Sequence, residues 1–462
     1  MVKIENLNLT YPNGKKALKD INLVIKKGEC VLLTGSSGSG KSSIISSING
    51  IATNFNNCSY TGTILVNGMD IKDKSLWQIS EIVSSVFQNP KTHFFNVNTT
   101  LELLFYLENI GLTKDDMDKR LEEMLQIFPI ENLLNRDIFK LSGGEKQILS
   151  IASSFISGNE ILVLDEPSSN LDYKGTKIVG KMMGILKSKG ITMIIAEHRL
   201  YYLMDVVDKV FVIDSGEIKE EYSKKEFGKL SRLELNSRGL RNNKKDEIEI
   251  PVMKNSGIYN INLLVDKYSD KTVKIDGIGF DYGKIYGVVG NNGIGKSTLI
   301  RDLIGYRKVL KEDISYENKK INRTQRLNIS NLVMQDVNNQ LFADSVMEEV
   351  VLCNSISDKK RIEEVLKRLN LWDVRDEHPM SLSGGQKQRV VIAQVLLSKD
   401  KMIFFDEPTS GMDYKNMVAI SNLIKQVCKE NKIVVIVSHD VEFLNETCDY
   451  ILKLENYVET SF

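Results

Sequence analysis

Apolar residues gather in short β-rich runs separated by helical segments. Cys30 to Thr34, Ile161 to Leu164 and Thr192 to Ala196 form one set. Ile285 to Val289, Met402 to Phe405 and Ile433 to Val437 form a second. Runs of this length spaced by helices predict an α/β fold with a mainly parallel sheet and helices on both faces. Ligands of such sheets sit at the carboxyl ends of the strands, so the residues that close each run are the first place to look for chemistry.

Those closing residues repeat. Leu141-Ser142-Gly143-Gly144-Glu145-Lys146-Gln147 returns as Leu382-Ser383-Gly384-Gly385-Gln386-Lys387-Gln388. Asp165-Glu166-Pro167 returns as Asp406-Glu407-Pro408, and His198 returns as His439. All three pairs share one offset, 241 residues (142 to 383, 165 to 406, 198 to 439), which identifies a duplicated domain. Glycine-rich loops at Gly35 and Gly290 are 255 apart, so the first copy holds 14 extra residues upstream of its Leu-Ser-Gly-Gly segment. Between the copies a charged, apolar-poor stretch from about Glu217 to Glu249 reads as a helical tail and a linker. The expected domains are 1–222 and 257–462, joined by 223–256.

Composition narrows the class. At 462 residues, 42% hydrophobic and 26% charged, the chain reads as a folded water-soluble protein of two or three domains. Sixty-one basic and sixty-one acidic residues cancel, so no net charge draws it to nucleic acid or anionic lipid. The five cysteines are scattered without a Cys-x-x-Cys pair, against a zinc ribbon or iron–sulfur cluster and for free thiols in a reducing compartment. The start lacks the apolar core of a signal peptide, and no apolar run is long enough to span a bilayer. Work at a membrane is therefore expected to go through a partner.

The segment Gly35-Ser36-Ser37-Gly38-Ser39-Gly40-Lys41-Ser42 follows an apolar strand and precedes an apolar helix; Gly290-Asn291-Asn292-Gly293-Ile294-Gly295-Lys296-Ser297 does the same. Both fit the phosphate-binding pattern G-x-x-x-x-G-K-[ST], whose glycines let backbone N–H groups turn toward phosphate oxygens at a helix N-terminus. Lys41 and Lys296 are expected at the β- and γ-phosphates and the Ser42 and Ser297 hydroxyls at Mg²⁺, with Ser43 and Thr298 completing each loop. Asp165 and Asp406 end apolar strands and suit Mg²⁺. Glu166 and Glu407 follow, placed to polarise an attacking water as general base.

The Leu-Ser-Gly-Gly-(Glu/Gln)-Lys-Gln segment resembles the signature of ABC-type ATPases, and the resemblance covers nearly the whole chain. It implies an ATPase using ATP and Mg²⁺. Gln88 and Gln335 match the Q-loop, which touches both nucleotide and metal; Asp172 and Asp413 match the D-loop; His198 and His439 match the switch histidine. Tyr11 and Tyr268 are expected to stack on adenine. In this family two domains close head to tail, each ATP lying between one phosphate loop and the other domain's signature, here Ser383-Gly384-Gly385 and Ser142-Gly143-Gly144. The second signature continues Gln388-Arg389, the usual family form; the first has Gln147-Ile148 and lacks the arginine, which points to slower hydrolysis at the site that uses it.

After each Q-loop, Asn89-Pro90-Lys91-Thr92-His93-Phe94-Phe95 and Asp336-Val337-Asn338-Asn339-Gln340-Leu341-Phe342 are similar to the Q-N-P/D-P-x-x-Q-L-F run of energy-coupling factor (ECF) transporter ATPases. That resemblance implies a peripheral protein on the cytoplasmic face of the membrane. Its partners would be an integral membrane scaffold and small substrate-binding membrane proteins for vitamins or metal ions, with no nucleic-acid partner. The match is weaker in the first copy, where His93-Phe94-Phe95 replaces Gln-Leu-Phe, and a core role for Phe94, Phe95 and Phe342 stays open. Two other readings remain: the ATPase of a conventional ABC importer, such as a sugar importer, and a soluble ABC protein acting on ribosomes or DNA.

Overall fold

Five-residue strands stand at every predicted run: Cys30–Thr34, Ile161–Asp165, Thr192–Ala196, Ile285–Val289, Met402–Asp406 and Ile433–Val437. The computed structural model describes all of the chain except residues 90–93, 129, 170, 254–255, 269–270, 292, 353–357 and 460–462. It resolves into two units, residues 1–245 with 411–415 and residues 246–410 with 416–462.

In the first unit a six-stranded sheet runs in the order Glu217–Ser223, Lys209–Asp214, Cys30–Thr34, Thr192–Ala196, Ile161–Asp165, Val83–Val86. Every pairing is parallel except that of Glu217–Ser223. Alternation along the strands explains why these runs are apolar throughout. Leu32, Leu162, Leu164 and Ile195 face one core with the helices Gly143–Ile156 and Tyr173–Ser188. Val31, Leu33, Val163 and Ile194 face another with the helix Lys41–Ile48. A strand buried on both sides can carry no polar position until it ends, which places Asp165 at the tip.

The second unit repeats this with a parallel sheet ordered Ser330–Val333, Met402–Asp406, Ile433–Val437, Ile285–Val289, Tyr450–Lys453. Each unit also has an antiparallel sheet that the sequence reading did not anticipate. In the first it is built on Lys16–Ile25, Val2–Thr10 and Ser59–Val66, in the second on Lys311–Tyr316, Tyr259–Tyr268 and Lys271–Ile275. One face of each is buried and the other polar, the alternation proper to such sheets.

The segment read as a helical tail and linker opens on a strand before its helices. Glu217–Ser223 is an edge strand, a place that suits its charges because they discourage further pairing. Two short helices follow, Lys224–Phe227 and Arg232–Ser237, each opened by a capping box (Ser223 with Glu226, Ser231 with Glu234). Phe227, Leu235 and Leu240 are buried in the first unit's core. Three apolar side chains among many charges are enough to dock the segment.

Candidate functional site

At Gly35 the backbone has φ 147°, and the Ile213 carbonyl oxygen lies 2.0 Å from where a Cβ would sit, so no other residue fits there. The loop then turns into the helix Lys41–Ile48. Lys41 is buried, and its ammonium donates to the carbonyls of Gly35 (3.0 Å) and Ser36 (2.9 Å). Burial pushes its pKa down, against the pull of Glu166. Ser36 is half-buried, Ser37 and Gly38 exposed and Ser39 buried, with Gly40 in a left-handed turn before the helix. In the second copy Lys296 donates to the carbonyl of Gly290 at 2.7 Å and to that of Asn291 at 3.4 Å. The N–H of Asn291 donates to Glu455 Oε1 at 2.9 Å. Gly293 is exposed, Ile294 buried and Gly295 left-handed, with Ser297 and Thr298 half-buried on the helix Lys296–Ile304. Asn292 lies outside the described residues.

Two acids stand at each strand tip. The Ser42 hydroxyl donates to Asp165 Oδ1 at 2.9 Å, and Ser297 hydrogen-bonds Asp406. Burial raises the Asp165 carboxyl to about 6 and raises Asp406 in the same direction. Glu166 and Glu407 both adopt left-handed backbone, φ 46° and 48°. A non-glycine residue in that region is uncommon, and the two copies share it at equivalent acids. Glu166 accepts from Gln88 Nε2 at 2.6 Å and faces His198 Nε2 at 3.4 Å; Glu407 faces His439 Nδ1 at 2.9 Å. Phosphate loop, metal-type acid, general-base candidate and histidine thus come together in each unit. Gln335 is exposed, beside the turn Val337–Gln340.

Ser142 and Ser383 each cap a helix, Gly143–Ile156 and Gly384–Leu397, with Glu145 and Gln386 closing the capping boxes. Both serines are exposed, and Gly143, Gly144, Gly384 and Gly385 form the first turns, the positive ends of the helix dipoles. Asp172 caps the helix Tyr173–Ser188, accepting from the Gly175 N–H at 2.8 Å; Asp413 is buried just before the helix Tyr414–Lys429.

The two adenine tyrosines differ. Tyr11 is half-buried, its hydroxyl 3.2 Å from Ser43 Oγ. Tyr268 is only 5% exposed, with its ring packed on Gly295 and its hydroxyl donating to Asp302 Oδ2 at 2.7 Å. In this structure the expectation that Tyr268 offers a face to adenine is therefore not met. The cause is a polar cluster beneath the helix: Arg307 lies 3.2 Å from Asp266 and 3.6 Å from Asp302. Asp302 stands six residues beyond the loop lysine, where the first copy has Ser47.

Sequence reasoning also missed a matched pair of anchors. Glu102 Oε2 accepts from the backbone of Phe95 (3.0 Å) and Asn96 (2.7 Å); Glu349 Oε2 accepts from Phe342 (2.6 Å) and Ala343 (2.7 Å). Both acids are buried, and both stand seven residues after the aromatic they hold (95 to 102, 342 to 349). That shared spacing was the available signal. The aromatics themselves point out, Phe95 75% and Phe342 82% exposed, which removes the core reading for both. Phe94 packs on the core instead. Residues 90–93, including Thr92 and His93, lie outside the described residues.

A family model described as ABC transporter matches residues 18–169 and 275–410. A protein of Treponema denticola bearing the name ABC transporter ATP-binding protein is 39% identical, over 98% of this chain and 95% of that one. A second protein of that name and organism is 34% identical, over 99% of this chain and 95% of its own length. The crystal structure of a complex of an archaeal ribosomal stalk protein with an archaeal ribosome recycling factor is similar in fold, with TM-score 0.64 over 98% of this chain and 89% of that one. At 22% identity, that likeness is one of fold alone.

Proposed function

The chain belongs to the ABC transporter ATP-binding family and is an ATPase, and from that premise we propose that it is the motor subunit of an ECF-type transporter taking up a vitamin or a metal ion. The supporting observation is the pair Phe95 and Phe342: two large exposed aromatics at matched positions after each Q-loop, each with its backbone N–H bonded to a buried carboxylate. Exposing a phenyl ring forgoes roughly 2 kcal/mol of burial, so exposed rings at the same position of both copies argue for a partner. Among the described residues no helix is long and apolar enough to cross a membrane, so the partner would supply the membrane path.

In the proposed reaction Lys41 and Lys296 hold the triphosphate, and the glycine-loop amides surround it. Glu166 and Glu407 polarise the attacking water, with His198 and His439 orienting those carboxylates. Asp406 Oδ1 is buried without a hydrogen-bond partner, an arrangement that fits a cation. Mg²⁺ would be held at Ser42, Gln88 and Asp165 in the first copy and at Ser297, Gln335 and Asp406 in the second. Its chemistry there is to neutralise charge on the phosphates.

The test is purification of the tagged chain from membranes in mild detergent, beside the double variant Phe95→Asp with Phe342→Asp. Small, very hydrophobic integral proteins should accompany the unmodified chain and be lost from the variant. Ribosomal or DNA-repair partners, with the protein absent from membranes, would overturn the reading.

A further inference from the structure

Glu197 is not part of any motif singled out in the sequence, yet it is 2% exposed between the strand Thr192–Ala196 and His198. Its Oε1 accepts from the backbone N–H of His198 (2.7 Å) and of Arg199 (3.1 Å). Its Oε2 accepts from the backbone N–H of Ser168 (3.1 Å) and from the Tyr202 hydroxyl (2.9 Å). Ser168 is two residues beyond Glu166, so one buried carboxylate ties the loop of the general-base candidate to the loop of the histidine that faces it. Bonds to an ionised acceptor are the strong kind, and removing such an acceptor from a buried site leaves its donors without a partner.

The second copy joins the same two loops with other residues. Ser438 stands where Glu197 does, and Asp440 where Arg199 does. Asp440 accepts from the Thr409 hydroxyl (3.3 Å), and Thr409 is the counterpart of Ser168; the Asp440 N–H in turn donates to Ser438 Oγ (3.1 Å). Two chemically different solutions to one tie indicate that the tie itself matters.

We propose that Glu197 is a positioning residue for hydrolysis in the first copy, fixing the Glu166 turn against His198. This rests on the reading of Glu166 as general base. A carboxylate that serves stability alone would lower folding free energy when altered and would change turnover by the same factor whether or not Glu166 is present. A positioning residue acts through Glu166 and loses its effect when Glu166 is gone.

Steady-state ATPase of the full chain decides. Glu197→Gln keeps the size but replaces one acceptor oxygen with an NH₂ facing backbone donors. Its kcat should fall to about half or lower, while KM for ATP stays within about twofold, because a small misplacement of the base costs rate rather than binding. In a Glu166→Gln background the same change should have no further effect on kcat. Transplanting the second copy's solution, Glu197→Ser with Arg199→Asp, should recover activity that Glu197→Ser alone lacks; this pair decides the matter if Glu197→Gln does not fold. An unchanged kcat in folded Glu197→Gln, or an equal further loss in the Glu166→Gln background, would overturn the proposal. If Glu166→Gln by itself leaves turnover intact, the general-base reading fails first, and the positioning role falls with it.

Discussion

His439 presents Nδ1 to Glu407 at 2.9 Å, whereas His198 presents Nε2 to Glu166 at 3.4 Å. The backbone N–H of His439 also donates to the same Glu407 oxygen at 3.3 Å. Glu166 has Gln88 at 2.6 Å as well as its histidine. The two general-base candidates are therefore steadied differently, the first by an amide and an imidazole, the second chiefly along the histidine segment.

Removal of each group should expose that difference. Glu166→Gln and Glu407→Gln should each retain ATP binding and remove the hydrolysis their own site contributes, a loss of about 10²-fold or more there. His439→Ala should lower phosphate release more than His198→Ala, because Gln88 still holds Glu166 in the latter. Equal losses would show that the histidines do more than orient the carboxylate.

Tyr268→Phe removes only a hydroxyl, but it is the donor to a carboxylate with no solvent exposure. Leaving Asp302 short of that bond should destabilise the fold by about 1–3 kcal/mol in urea titrations. Tyr11→Phe, whose hydroxyl meets Ser43 at 3.2 Å in a half-buried place, should change stability by less than about 0.5 kcal/mol. Comparable effects from the two would mean that the Tyr268–Asp302 contact carries no special weight.

Asp302 also fixes the direction of a pH effect. Burial lifts its carboxyl from 3.8 to about 6, the nearby Arg307 and Arg326 and the Tyr268 hydroxyl pulling the other way and Asp266 adding to the rise. Between those values the folded chain holds a proton that the unfolded chain has released. The stability this provides is present below pH 3.8 and lost as pH rises through about 6. Asp302→Asn keeps an acceptor for Tyr268 and cannot titrate. The stability of the native chain relative to Asp302→Asn, read from urea midpoints, should fall as pH rises from about 4 to about 6.5. A difference that stays constant or grows would contradict the shift.

Much of this architecture was readable because chemistry and periodicity coincide. Asp165 and Asp406 had to appear where strands buried on two faces come to an end, and the glycines around Lys41 and Lys296 admit few other readings. The left-handed turns at Glu166 and Glu407 were not readable, since glutamate has no preference for that region and only tertiary structure holds it there. Nor were the anchoring roles of Glu102, Glu349 and Glu197: a buried acid is written like an exposed one, and its partners are backbone N–H groups that every residue has. Tyr268 misled for a related reason. Its position matched a stacking tyrosine, while its fate was set by Asp302 and Arg307 further along the chain.

The unequal signatures supply the last test. Arg389 follows Gln388 in the second copy, and its Nε is buried without a hydrogen-bond partner; burial pushes its pKa down. Its counterpart Ile148 sits in the first unit's apolar core. A half-buried guanidinium with an unmatched N–H adds little to stability, so Arg389→Ile should leave the urea midpoint unchanged or raise stability by about 1 kcal/mol. The reverse change, Ile148→Arg, places a charge among Leu149, Ile151 and their neighbours and should cost about 3 kcal/mol or more. If Arg389→Ile instead destabilises by more than about 1 kcal/mol, the arginine has a structural role in the native fold. If it is neutral for folding but lowers ATP turnover, its place near Gly385, with Nη1 3.8 Å from the position of a Cβ there, belongs to the signature's chemistry, and the first signature's isoleucine marks the slower site.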